Sequence, residues 1–231
     1  MKRIGILGGS SDQATADYYR RLNRAANDRL GGLNTAELLI SSMNFGFCAG
    51  CVRSDNWADL AAYLTDRARA LEGAGAEILI CVSNTLHRVA PIFTAGLTIP
   101  FIHIADPTGR AIREAGLRRV GLLGTAIVMT TPHIKQHLAE RFGIEVIVPD
   151  ADGVALVDRI IFDELCRGRF TEESRLAYLA VVDALREAGA EGVILGCTEI
   201  PLLIEQAHRP DLPMFDTAGL HVEAAIDLAL A

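Results

Sequence analysis

Short apolar runs alternate with longer stretches whose apolar residues recur at helical spacing along the 231-residue chain. Arg3–Leu7 is a run of the first kind and predicts a strand that ends in Gly8-Gly9-Ser10-Ser11. Ala14, Tyr18, Leu22 and Ala25 follow at helical spacing, and Gly31-Gly32 closes that helix. The same reading predicts strands at Ala36–Ser41, Glu77–Val82, Thr98–Ile104, Arg119–Leu123, Glu145–Val148, Gly192–Leu195 and Pro213–Phe215. It predicts helices at Asp59–Glu72, Pro132–Phe142, near Val154–Leu165, at Glu172–Glu187 and at Gly219–Leu230. Such alternation implies an α/β fold of mostly parallel sheets flanked by helices.

The pattern repeats. Ala74-Gly-Ala-Glu-Ile-Leu-Ile-Cys-Val-Ser-Asn-Thr85 aligns without a gap on Ala188-Gly-Ala-Glu-Gly-Val-Ile-Leu-Gly-Cys-Thr-Glu199, at an offset of 114. Ser83 then falls on Cys197. Ile4–Gly9 echoes Val120–Thr125 at an offset of 116, and Ile99-Pro-Phe101 echoes Leu212-Pro-Met214 at 113. Three echoes in one order imply two pseudo-symmetric α/β domains. Ligands of parallel sheets gather at the carboxyl ends of strands. Two such halves facing each other would place Ser83 and Cys197 on opposite walls of an interdomain cleft, which is where we expect the active site.

Half of the residues are hydrophobic and the formal net charge is −7. Without a basic patch, nucleic acid is not an expected partner. No apolar run reaches the length of a membrane span, so no membrane is expected either. The start, MKRIGILGGSS, reads as a first strand and not as a signal peptide. Five cysteines, an odd number in a chain too large to need staples, suit a reduced cytoplasmic protein. Cys48-Ala-Gly-Cys51 lacks a second pair to complete a zinc set and reads as incidental, near a loop.

The strand-end turns also read as helix starts. Ser83-Asn84-Thr85 precedes a short helical stretch ending near Pro91, and Thr198-Glu199-Ile200-Pro201 has a capping residue before a first-turn proline. A helix N-terminus suits carboxylates and favours a thiolate, which would place Cys197 to act as a base. Each feature has a plainer reading. A cysteine at a strand end is usually a small core hydrophobe, and Ser-Asn-Thr often only caps a helix. The Gly8-Gly9 turn is not a GxGxxG fingerprint. His133 and His137 lack the glutamate of HExxH and read as exposed helix residues. His87 and His103 lie closer to strand ends, with bordering, capping and core roles all open. Cys81 and Cys166 read as packing.

With these motifs in view, the chain resembles the aspartate/glutamate racemase superfamily, nearest the L-aspartate/glutamate-specific branch. The resemblance runs through YYRRLN, LGGLNTAELL, AGAE, SNTxH, PFIHIAD, RVGLLGT, IIFDEL, GCTEIPLL and PxFDTA. It implies a first domain of residues 1–106 plus 216–231 and a second of 107–215. It also implies an amino-acid racemase without pyridoxal phosphate or metal, acting on an acidic amino acid as its small-molecule substrate, and a homodimer. Two groups flank Cα in this family, one removing the proton and one returning a proton to the other face; the matching residues are Ser83 and Cys197. Most relatives have cysteine at both positions, and the nearest branch a hydroxyl, usually threonine, at the first. A serine is a far weaker acid than a cysteine, so the two directions should be unequal.

The resemblance and the turns together nominate Asn84, Thr85, Thr125 and Thr198 for the α-carboxylate. Gly9, Ser10 and Ser11 would close one side. Glu199 is the candidate for the α-ammonium, and Arg53 for the distal carboxylate unless it is simply a solvated loop arginine. Val52 stands where the nearest relatives carry glutamine, and Ser10 where methionine is frequent, which leaves the side-chain preference open. Two other functions fit the same residues: a superfamily decarboxylase using one cysteine, of the arylmalonate type, or an amino-acid-binding protein that has lost catalysis.

Overall fold

The computed structural model describes residues 1–231. Met1–Ile104 with His221–Ala231 form one compact unit, and Ala105–Leu220 form another.

The first unit is built on β1 (Ile4–Gly8), β2 (Leu38–Ser42) and β3 (Ile78–Cys81), all parallel in the order β2-β1-β3. Around them lie α1 (Asp12–Leu30), α2 (Phe45–Arg53), α3 (Trp57–Gly73) and the short α4 (Ala90–Phe93). Strands β1 and β3 are buried along their whole length, so they read as continuous apolar runs. The register sets Leu7 beside Cys81 and Gly8 beside Ser42. The turns after β1, β2 and β3 therefore share one edge of the sheet.

The second unit holds β4 (Arg119–Leu123), β5 (Glu145–Ile147), β6 (Val193–Leu195) and β7 (Met214–Asp216), parallel in the order β5-β4-β6-β7. Its helices are α5 (Ala105–Glu114), α6 (Ala126–Thr130), α7 (Pro132–Phe142), α8 (Ala151–Asp163), α9 (Glu172–Glu187) and the start of α10 (Thr217–Leu230). From His221 on, α10 counts with the first unit, where Ala229 accepts the Lys2 N–H at 2.8 Å.

The AGAE repeat is the same device in both units. Helix α3 ends with Gly75 N–H on Glu72 O and Ala76 N–H on Leu71 O; α9 ends with Gly189 N–H on Arg186 O and Ala190 N–H on Leu185 O. Both glycines have positive φ, 95° and 94°, as this helix ending requires. The alanine is then buried, and the glutamate turns back onto the unit's first strand: Glu77 accepts from Arg3 N–H, and Glu191 from Arg118 and Arg119 N–H. These bonds hold both exposed carboxyls below their ordinary pKa. The proline echo is matched as well. Leu79 N–H donates to Pro100 O at 2.9 Å and Val193 N–H to Pro213 O at 2.8 Å.

Several sequence expectations are corrected. Thr98–Ile104 is not a strand but a single bridge from Phe101 to Leu79, because the chain turns into α5 at Ala105. Helices α5 and α2 were not expected, since Asp106-Pro-Thr-Gly109 reads as a turn and Gly46 and Gly50 dilute FGFCAGCVR. Cys48 and Cys51 lie on α2 with both thiols in the core, not near a loop, and burial pushes Cys48 up to about 11. His133 and His137 are half-buried, not exposed: His133 meets the Thr131 hydroxyl at 2.8 Å, and His137 meets Asp106 at 2.7 Å. None of the five cysteines is in a disulfide, and no helix is long and apolar enough to cross a membrane.

Candidate active site

In the first unit, Ser83 follows β3 directly and is half-buried. Its Oγ accepts the Leu86 N–H at 3.3 Å, opening a 3-10 turn over Thr85–Val89 that runs into α4. The short helical stretch expected to end near Pro91 is this turn together with α4, which ends at Phe93 and has Pro91 in its first turn. The Ser83 carbonyl lies 2.6 Å from His87 Nδ1, and Ile104 N–H donates to His87 Nε2 at 3.1 Å. A carbonyl only accepts and a backbone N–H only donates. His87, 2% exposed, is therefore held as the neutral Nδ1–H tautomer, a fastener for the Ser83 turn. Asn84 is buried and Thr85 half-buried in the same turn.

The turn after β1 closes on this one. Ser10 donates its hydroxyl to Val82 O, the carbonyl preceding Ser83. Ser11 Oγ accepts the Ala14 N–H at 3.0 Å and caps α1. Gly9 has φ 82°, donates its N–H to Thr15 Oγ1 at 2.7 Å, and lies so close to Met43 that a Cβ would stand 2.3 Å from the Met43 nitrogen. Gly9, Ser10 and Ser11 thus converge with Ser83. Arg53 is the exposed last residue of α2, on a helix rather than the expected loop.

In the second unit, Cys197 follows β6 after Gly196, whose N–H donates to Leu123 O at 2.6 Å. Cys197, Thr198 and Glu199 are all buried, at 8%, 4% and 3% exposure. The Cys197 S–H donates to Glu199 Oε2 at 3.0 Å, and the Thr198 hydroxyl donates to the same oxygen at 2.9 Å. The Cys166 S–H donates to the other oxygen, Oε1, at 3.6 Å. One buried carboxylate therefore gathers three donors.

This overturns the expected electrostatics of Cys197. Thr198 does not cap a helix: only a three-residue 3-10 turn, Ile200–Leu202, follows, and no side chain caps it. A single turn has no aligned dipole to favour a thiolate. Burial instead pushes the Cys197 thiol well above its ordinary pKa, and the Glu199 charge and then Cys166 push it further. The resting thiol carries its proton and donates it in a hydrogen bond to Glu199. Cys166 packs against the core as expected and also reaches Glu199, thirty-three positions on.

Thr125 caps α6, its Oγ1 accepting the Val128 N–H at 3.4 Å, while Asp158 accepts the neighbouring Ala126 N–H at 2.6 Å. Gly124 brings β4 against β6: a Cβ there would stand 2.9 Å from Gly196 O. Thr217, which the sequence did not single out, donates its hydroxyl to Leu195 O at 2.9 Å and supports the strand that carries Cys197.

The two α/β units share one plan, one ending a strand on a hydroxyl and the other on a thiol bonded to a carboxylate. The sequence matches the Asp/Glu/Hydantoin racemase family over residues 4–225, and the chain belongs to that family. A Yersinia pestis structure described as a candidate Asp/Glu racemase is 39% identical, with TM-score 0.90 and 100% of both chains covered. An aspartate racemase homologue from Pyrococcus horikoshii OT3 is 34% identical, with TM-score 0.86 and again 100% of both chains. The broad specificity amino-acid racemase RacX of Bacillus subtilis is 23% identical across 99% of this chain and 98% of its own.

Proposed function

We propose that this protein is a cofactor-independent amino-acid racemase acting on an acidic amino acid, aspartate or glutamate. The observation that carries the reading is the buried thiol–carboxylate pair, Cys197 S–H on Glu199 Oε2 at 3.0 Å, at the end of β6. In this reading Glu199 accepts the thiol proton and the Cys197 thiolate removes the Cα proton. Ser83 returns a proton from the opposite face. Reversal needs the serine hydroxyl to act as a base, which is the harder direction. Glu199 is thus the base for Cys197 rather than the partner of the α-ammonium. Buried N–H groups and hydroxyls of the Asn84-Thr85 and Thr198 turns, with Thr125, hold the α-carboxylate and spread the carbanion charge.

The test is α-hydrogen exchange by NMR in deuterium oxide, with L- and D-aspartate and glutamate. The expected result is exchange that Cys197→Ala abolishes; a wild-type protein that exchanges neither acid overturns the reading. The single strand-end thiol, matched in the repeat by a serine, favours one second reading, a decarboxylase that protonates its product with Cys197. Release of CO₂ from an arylmalonate without exchange of any amino acid would select it.

A further inference from the structure

We infer that His87 and His221 together position Ser83, whose hydroxyl carries the harder direction, through one segment that both of them hold. The inference rests on the racemase reading. Both peptide planes beside the Ser83 Cα are pinned by side chains. Ser10 donates to Val82 O on one side, and His87 Nδ1–H donates to Ser83 O at 2.6 Å on the other. A rigid plane on each side fixes where the Ser83 Cβ points. His87 therefore aims the hydroxyl without touching it.

His87 is aimed in turn. Its Nε2 accepts the Ile104 N–H at 3.1 Å, and the His103 ring stands edge-on to it with centroids 4.5 Å apart. Ile104 ends a short segment that β3 holds at its start, where Ile102 N–H donates to Leu79 O at 3.1 Å. The Ile102 carbonyl lies 2.9 Å from Nε2 of His221, a fully buried residue of α10. A carbonyl only accepts, so His221 carries its proton on Nε2, and the Tyr18 hydroxyl donates to Nδ1 of the neutral ring at 3.1 Å. The two histidines thus hold opposite tautomers: His221 donates to the segment and His87 accepts from it. One run of bonds leads from Tyr18 on α1 through His221, Ile102–Ile104 and His87 to the Ser83 carbonyl. Losing His221 leaves the Ile102 carbonyl without its donor, and the cost shifts the segment that aims His87.

The experiment compares wild type, His221→Ala, His221→Gln and Tyr18→Phe by two readouts. One is α-hydrogen exchange of each enantiomer of aspartate and glutamate. The other needs no substrate: solvent exchange of the His87 Nδ1–H, read by NMR with isotopically labelled histidine. His221→Ala should slow the enantiomer that wild type exchanges more slowly, whose Cα proton faces Ser83, about tenfold more than the other. It should also speed exchange of the His87 Nδ1–H by about tenfold. Glutamine carries an N–H near the Nε2 position, so His221→Gln should return both readouts to within about threefold of wild type. Tyr18→Phe keeps the ring and should show the same one-sided loss at about threefold, which keeps the test decisive if His221→Ala does not fold. Equal losses for the two enantiomers overturn the inference, and so does an unchanged His87 signal or a His221→Gln no better than His221→Ala. A His87 signal that responds to His221→Ala in a protein that exchanges no amino acid would sustain the histidine coupling while removing the racemase reading.

Discussion

The two units place the same loop after the same strand and fill it differently. After β3, Ser83 is half-buried, its Oγ capping a 3-10 turn and its carbonyl fastened by a neutral histidine. After β6, Cys197 is buried and points its proton at a carboxylate. The backbone frame around them is common, down to the AGAE helix ending and the proline bonded to the strand. The first turn is thus organised by backbone bonding and the second by a side-chain proton network. A repeated fold can supply geometry twice while the chemistry is assigned once, because a proton acceptor needs a single residue change in the loop.

The comparison breaks hardest at the thiol. Cys197→Ala should lower α-hydrogen exchange by about 10³-fold or more while leaving the melting temperature within a few degrees, as checked by NMR exchange and calorimetry. Glu199→Gln keeps the shape and removes the proton acceptor. Exchange should fall by roughly 10²-fold, and Cys197 alkylation at pH 7 should slow in step. Making the halves alike should sharpen the contrast from the other side. Ser83→Cys supplies a second thiol, and the ratio of D- to L-substrate exchange should move toward unity by roughly tenfold.

Smaller effects should appear in stability. Gly9 and Thr125 are equivalent in the repeat, yet they do different work. Gly9→Ala forces a Cβ against the Met43 backbone at positive φ and should cost about 2–3 kcal/mol in urea unfolding. Thr125→Ala loses one N-cap bond and should cost about 0.5–1 kcal/mol. The smallest effect should be shared equally. Glu77 and Glu191 both have lowered pKa values, so their contribution is present above the ordinary carboxylate pKa and lost as pH falls through the folded value. Glu77→Gln and Glu191→Gln should each flatten the acid side of the melting-temperature profile by a similar amount. Unequal flattening would contradict the equivalence of the two brackets.

Legibility followed periodicity. Pro132–Phe142 and Glu172–Glu187 have an uninterrupted helical rhythm, and the helices occupy those spans. The strand at Arg119–Leu123 is equally clear, a buried run between polar ends. Where Gly or Pro interrupts the rhythm, as in α5 with Pro107 and Gly109, local propensity misled because tertiary packing holds the helix: Gly109 leaves room for the Phe142 ring. Among candidate site residues, Ser10 bonds to the carbonyl before Ser83 within the first unit, and Cys197, Thr198 and Glu199 bond together within the second. Arg53 lies at the exposed end of a helix, and no local pattern foretold α2.

The sequence by itself determined the alternation of strands and helices, the repeat that aligns Ser83 with Cys197, and the presence of a thiol at a strand end. These follow from the order of side chains along the chain, which is what periodicity records. Only the tertiary structure decided what that thiol is. Its proton affinity depends on desolvation and on neighbouring groups, Glu199 next to it and Cys166 from a separate segment of the chain. The sequence placed Cys197 in the field of a helix start; the fold put it beside a buried carboxylate, reversing the sign of the expected shift.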